Sequence, residues 1–165
     1  MHTFPAQAVT GTYRSPLGPM TLLATSDALI GAWFEGQQHF PALGGFSKGV
    51  HHAVLAQACD ELDAYFSKKS NAFSIRLEWP GGTAFQQSVW QSLRQITCGA
   101  TSTYGAIAQA IGKPNAVRAV GGAIGRNPLS IFVPCHRVIG SQGQLTGYAG
   151  GMERKVALLR REGAL

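Results

Sequence analysis

Pro134-Cys135-His136-Arg137 closes a short apolar run, Leu129-Ser130-Ile131-Phe132-Val133, late in a chain of 165 residues. A thiol beside an imidazole and a guanidinium can do nucleophilic chemistry. A free thiol has a pKa of ~8.5 and is only a few per cent ionised at neutral pH, so a nucleophilic cysteine needs a base or a cation nearby. Pro134 lacks a backbone donor and fixes its own φ, so strand pairing should stop there and leave Cys135 where a strand becomes a turn. Neighbours in an extended chain point opposite ways, so His136 reaches Cys135 only through a turn or a bridging water. A cysteine ending an apolar strand otherwise reads as inert packing. The two polar residues that break the run argue for chemistry. Cys59, in an amphipathic stretch, and Cys98, before a glycine, read as structural.

The elements that must position this segment fall into two halves. Residues 8–13, 20–25 and 29–34 read as strands, with a turn at Ser15-Pro16-Leu17-Gly18-Pro19 and a hairpin around Ser26-Asp27. Residues 35–50 read as a loop. Val54, Leu55, Ala58, Leu62, Tyr65 and Phe66 share one face of a helix over about 51–67. Phe73-Ser74-Ile75-Arg76-Leu77 alternates as a last strand. Trp79-Pro80-Gly81-Gly82 marks a boundary, separating a domain over 1–80 from one over 81–165. Thr83-Ala84-Phe85-Gln86 has the form of a capping box, opening a helix to about Ile96. Thr103 can cap a short helix through Ile111, ended by Gly112. Lys113-Pro114-Asn115 restarts the chain into a second helix over about 115–124, giving a helix-turn-helix pattern. The fold class expected is mixed α/β: a small antiparallel sheet domain, then a mostly helical domain with a winged helix-turn-helix.

Charge is divided as unevenly as structure. Lys and Arg number five against six Asp and Glu before residue 83, but nine against two after it. No acidic residue stands between Glu78 and Glu153. A basic half of this kind suits a polyanion. In the second short helix Arg118 is the one long cation, among Ala116, Ala119, Gly122 and Ala123. Such a shaved surface admits close approach of a backbone, either to another helix or to a narrow groove of nucleic acid. Hydrophobic residues make up 45% of the chain, enough to bury a core. No apolar run approaches the ~18–20 residues of a membrane span, so no membrane partner is expected. Met1-His2-Thr3-Phe4-Pro5-Ala6 carries no basic region followed by an apolar stretch, so no secretory signal is expected. Three cysteines without a Cys-x-x-Cys suit a reducing, cytoplasmic setting and no zinc.

Val133-Pro134-Cys135-His136-Arg137-Val138-Ile139-Gly140 resembles the signature of the O6-alkylguanine-DNA alkyltransferases. Phe85-Gln86-Gln87-Ser88-Val89-Trp90, Thr103-Tyr104-Gly105, Ala116-Val117-Arg118-Ala119-Val120-Gly121, Asn127-Pro128 and Leu145-Thr146-Gly147-Tyr148-Ala149-Gly150-Gly151 follow in that family's order. So does Arg154-Lys155 through Glu162-Gly163. The resemblance is continuous from about 80 to 163 and loose before it.

It implies direct-reversal DNA repair: Cys135 takes the alkyl group from O6 of guanine, once per molecule, with O4-alkylthymine as a further candidate substrate. It implies a relay of Cys135, a water, His136 and Glu162, with Asn127 as a hinge between the helix-turn-helix and the active-site loop. The base must be flipped out of the duplex. Arg118 would replace it in the stack, and Tyr104 would turn the 3′ phosphate and bond the flipped guanine. The helix would enter the minor groove through Ala116, Ala119 and Gly122, with Thr103 and Arg126 also facing DNA. The carbonyls of Cys135 and Val138 would accept from the guanine amine, and the amide of Ala149 would approach O6. Tyr148, Pro128 and Gly150 would complete the pocket. Ala149 stands where some relatives have serine, so a hydroxyl contact is absent. No cofactor is implied. The partner is double-stranded DNA carrying O6-alkylguanine, met by a monomer, with cooperative loading left open. The rival readings are a non-catalytic lesion sensor or DNA-binding regulator of the same fold, which would not need Cys135, His136 and Glu162, and a cysteine hydrolase, which would not need Arg118.

Overall fold

The computed structural model describes residues 4–165, so the first three residues of the N-terminal segment lie outside the described part. Three strands open the chain: β1 (Val9–Ser15), β2 (Gly18–Ala24) and β3 (Leu29–Phe34). They pair antiparallel, with Ser15 opposite Gly18 across the first turn and Ala24 opposite Leu29 across the second. The first turn closes because Gly18 takes a φ of 110°, which a side chain resists, and because the Ser15 hydroxyl donates to the Gly18 carbonyl at 2.6 Å. All six residues of β3 are buried, which explains its lack of polar alternation. Leu29 and Phe34 face the main core. Ile30 and Trp33 face a smaller cluster with Ala8 and Leu23.

A two-residue strand, β4 (Ser47–Lys48), adds to β1 in parallel, inside the stretch expected to be a loop. The sheet order is β3-β2-β1-β4, so the sheet is antiparallel except at this edge. Helix α1 (Ala53–Phe66) buries Val54, Leu55, Ala58, Leu62 and Tyr65. Residues 73–77 are not the strand their alternation suggested. They carry one parallel bridge, Leu29 to Leu77, held by Leu29 N–H donating to Arg76 O at 2.9 Å. Leu77 pairs there at a single point, too short a register to make a strand.

The helical half opens with α2 (Ala84–Leu93). Its capping box forms: Gln86 N–H donates to the Thr83 hydroxyl at 3.2 Å, and Thr83 N–H to Gln86 Oε1 at 2.9 Å. The helix ends at Leu93, short of Ile96. Then come β5 (Ser102–Thr103), α3 (Tyr104–Ala110) and α4 (Val117–Gly125). Trp90, fully buried on α2, donates its indole N–H to the Ala123 carbonyl on α4 at 2.9 Å. A 3-10 turn over Cys135–Arg137 leads into β6 (Val138–Ile139), parallel to β5, and α5 (Met152–Glu162) ends the fold. Among the described residues no helix is long and apolar enough to cross a membrane.

The expected strand over 129–133 is instead a buried turn. Val133 N–H donates to Leu129 O at 2.8 Å, and Ile131 takes a φ of 73°. A β-branched residue in that region is strained, and packing holds it there at 1% exposure. The turn docks on β3: Ala32 N–H donates to Pro128 O at 2.8 Å, and Ser130 N–H donates to Ala32 O at 2.9 Å. One hydrophobic core thus runs from the sheet into the segment that carries Cys135.

Candidate active site and DNA-facing surface

Cys135 begins the 3-10 turn directly after Pro134, so it follows a buried turn and not the end of a strand. Asn127 fixes the thiol. Its Nδ2 donates to Cys135 Sγ at 3.1 Å and to Val133 O at 2.9 Å, while its Oδ1 accepts from Leu129 N–H at 3.0 Å. One buried side chain therefore ties the end of the helix-turn-helix to both ends of the buried turn.

From the turn His136 reaches α5. Lys155, Leu158, Leu159 and Glu162 share one face of that helix by their spacing of three and four. Gly163, with φ 76°, ends the helix just beyond Glu162. His136 Nε2 lies 2.8 Å from Glu162 Oε1, both side chains being fully buried. Arg137 clamps the same carboxylate, Nε to Oε2 at 2.8 Å and Nη2 to Oε1 at 2.9 Å. Burial alone would push the Glu162 carboxyl up. The His136, Arg137 and Tyr65 donors outweigh it and hold the group well below the usual carboxylate range. Burial pushes the His136 imidazole down, so it is neutral near pH 7. A neutral ring beside an ionised carboxylate donates from Nε2 and keeps a lone pair on Nδ1. His136 Nδ1 is buried and has no hydrogen-bond partner. Burial also pushes the Cys135 thiol up, partly offset by Asn127 and by the Lys155 charge.

Three contributors lie outside the expected site residues. Tyr65 of α1 donates to Glu162 Oε1 at 2.6 Å; a buried tyrosine needs a hydroxyl partner, which was the one available hint. Lys155 is fully buried, and its ammonium donates to the carbonyls of Val138 and Thr146 at 2.5 and 2.7 Å. Burial lowers its pKa to about 8. The Val138 carbonyl expected to meet guanine already has this donor, leaving one lone pair. A lysine on the apolar face of an amphipathic stretch was the signal here. Gln38, in the expected loop, donates its backbone N–H to Ala149 O at 2.9 Å.

A cavity of about 430 Å³ opens between α4, residues 146–149 and that loop. Tyr104, Tyr148 and Ala149 line it, together with Gln38, His39 and Arg126. Tyr104 OH lies 3.4 Å from Thr146 O. Val138, Pro128 and Gly150 lie outside its lining. Pro128 is turned to β3, and Gly150 accepts from Arg154 Nη1 at 3.0 Å. On α4, Arg118, Ala119 and Gly122 are exposed and Ala116 half-buried, which keeps the shaved face open. Arg126 is exposed at the helix end. The Thr103 hydroxyl is engaged as the cap of α3, accepting from Ala106 N–H at 3.1 Å.

Residues 8–79 match the family described as 6-O-methylguanine DNA methyltransferase, ribonuclease-like domain, and residues 84–164 match its DNA binding domain. A methylated-DNA–protein-cysteine methyltransferase of Mycobacterium leprae is 45% identical over 148 residues, 90% of this chain and 88% of the relative. One from Methanosarcina acetivorans is 42% identical over 153 residues, 92% and 96% of the two chains. The crystal structure of Mycobacterium tuberculosis OGT in complex with DNA superposes with a TM-score of 0.86 at 43% identity, covering 93% of this chain and 91% of the other.

Proposed function

Because this chain belongs to the 6-O-methylguanine DNA methyltransferase family and repairs DNA by alkyl transfer to a cysteine, we propose that Cys135 is the acceptor, served by His136 and Glu162. The supporting observation is the buried His136 Nδ1, which has a lone pair and no protein partner while Nε2 is committed to Glu162. A water between Nδ1 and Sγ completes the relay.

At rest the thiol is protonated, because burial holds its pKa up. When the alkylated base seats, the thiol proton passes through the water to Nδ1. The sulfur pair then forms the S–C bond as the C–O6 bond breaks, and its electrons remain on guanine. Guanine gains one proton for the one the thiol lost. Asn127 aims the sulfur. Lys155 braces the Val138 carbonyl that faces the base. The thioether is too stable to be recleaved, so each molecule reacts once.

The DNA partner is a duplex carrying O6-alkylguanine, with O4-alkylthymine a second substrate class. Arg118 fills the gap left by the flipped base, which costs a few kcal/mol to extrude. Tyr104 bonds the base at the cavity mouth. Residues 81–165 carry DNA binding and transfer, and residues 1–80 support them. The protein acts as a monomer, and its three free cysteines suit the reducing cytoplasm.

The test is intact mass with peptide mapping, after mixing the protein with a duplex holding one O6-methylguanine. One methyl on Cys135, saturating at one per molecule, is expected. Tight binding without a mass gain would replace the reading by a lesion sensor.

A further inference from the structure

Tyr65 lies on the inward stripe of α1, in the sheet half, at 1% exposure. Its hydroxyl donates to Glu162 Oε1, the oxygen that also meets His136 Nε2 and Arg137 Nη2. The ring is held from several sides. The Arg161 guanidinium carbon sits 3.8 Å from its centroid, and the Phe73 ring centroid 5.6 Å away. Arg161 Nε donates to the Tyr65 carbonyl at 2.8 Å. A side chain with two torsions, packed against Arg161 and Phe73 and held at its own backbone, can place a hydroxyl with little entropic cost on forming the bond.

We infer that Tyr65 is a positioning residue for alkyl transfer: it orients Glu162 and, by sharing Oε1, sets how strongly His136 holds a proton. The inference rests on the relay proposed above. Donors to one carboxylate oxygen compete, so each weakens the hold of the others. The groups that face the His136–Glu162 pair come from three elements. Cys135 and Arg137 flank His136 in the 3-10 turn, Lys155 and Arg161 belong to α5, and Tyr65 comes from α1. The Tyr148 ring stands edge-on to His136 with centroids 6.5 Å apart. Arg137 and Lys155 oppose an imidazolium, and Glu162 favours it. Tyr65 is neutral and acts on Glu162 alone. Burial and the neighbouring carboxylate keep its own proton in place. Removing the hydroxyl leaves more of Oε1 to His136, which stabilises the imidazolium and leaves less neutral base.

The experiment is single-turnover methyl transfer from an O6-methylguanine duplex by the full chain, wild type against Tyr65→Phe, over about pH 5 to 9. The acid limb of the rate should move up by about one pH unit in Tyr65→Phe, with rates above the limb within roughly threefold. A uniform loss of rate with an unmoved limb assigns Tyr65 to structure alone and overturns the inference. A wild-type rate with no acid limb overturns relay and inference together, even while Cys135 gains its methyl. If Tyr65→Phe fails to fold, 3-fluorotyrosine at position 65 donates more strongly and should move the limb down. An unmoved limb there overturns the inference equally.

Discussion

Cys135, His136 and Glu162 owe their chemistry to opposite responses to burial. The same dry surroundings push the thiol up and the imidazole down, and only Glu162 collects enough donors to stay ionised. Cys135→Ser should abolish transfer while duplex binding stays within about threefold, as followed by mass and by fluorescence anisotropy. Asn127→Ala frees Sγ and leaves the Leu129 N–H buried without its partner, while the Val133 carbonyl keeps only the Cys135 N–H. A cost of about 1–3 kcal/mol is expected, read as a melting temperature lower by about 3–8 °C. Acid should also destabilise the fold. His136 has a lowered folded pKa, so below about pH 6.5 the unfolded chain takes a proton the native ring refuses. Glu162 has a depressed folded pKa, so its stabilisation is complete above about pH 4.3 and is lost as pH falls further. Melting scans should show a decline beginning near pH 6.5, and His136→Gln should flatten that first part. The thiol–imidazole–guanidinium run could be read directly because its members are contiguous. Glu162 came only through the family resemblance, since local spacing does not choose a carboxylate 26 residues away; packing does.

Helix α4 and the segment from Asn127 to Arg137 show where local patterns serve and where they fail. The capping box and the shaved helix follow from short-range rules, and both appear. The strand expected over 129–133 is a turn, closed by Val133 N–H on Leu129 O with Ile131 at a φ of 73°, and an apolar run does not distinguish a buried strand from a buried turn. Residues 73–77 likewise alternate without a strand's pairing. Arg118→Ala should slow repair of duplex DNA by tenfold or more, roughly the loss expected of an intercalating contact, yet leave reaction with the free modified base within about twofold. Equal losses on both substrates would remove Arg118 from flipping. In the loop after β3, Gln37 accepts from Phe34 N–H at 2.8 Å and from the Ser130 hydroxyl at 3.3 Å. Gln37→Leu should therefore loosen both the loop that holds Ala149 and the turn before Cys135. A rise in hydrogen exchange at both segments would show it, and exchange confined to residues 35–40 would refute the coupling.

The molecule as a whole joins a nearly neutral sheet half to a basic helical half, and the basic half carries the exposed shaved helix. Affinity for duplex DNA should fall steeply as salt rises, because each phosphate contact releases counterions; binding indifferent to salt would contradict this surface. Composition, charge division and helix periodicity already gave a sheet half and a basic helical half, and the resemblance carried by the order of short motifs implied alkyl transfer, since each is a property of neighbours along the chain. The closure of the site is of another kind. Tyr65 on Glu162, Ala32 on Pro128 and Ser130, Gln38 on Ala149 and Lys155 on Val138 are contacts between elements distant in sequence. They exist because one core packs α1 and β3 against α5 and the Cys135 turn. Chain-local rules carry no information about which buried donor a distant acceptor will meet.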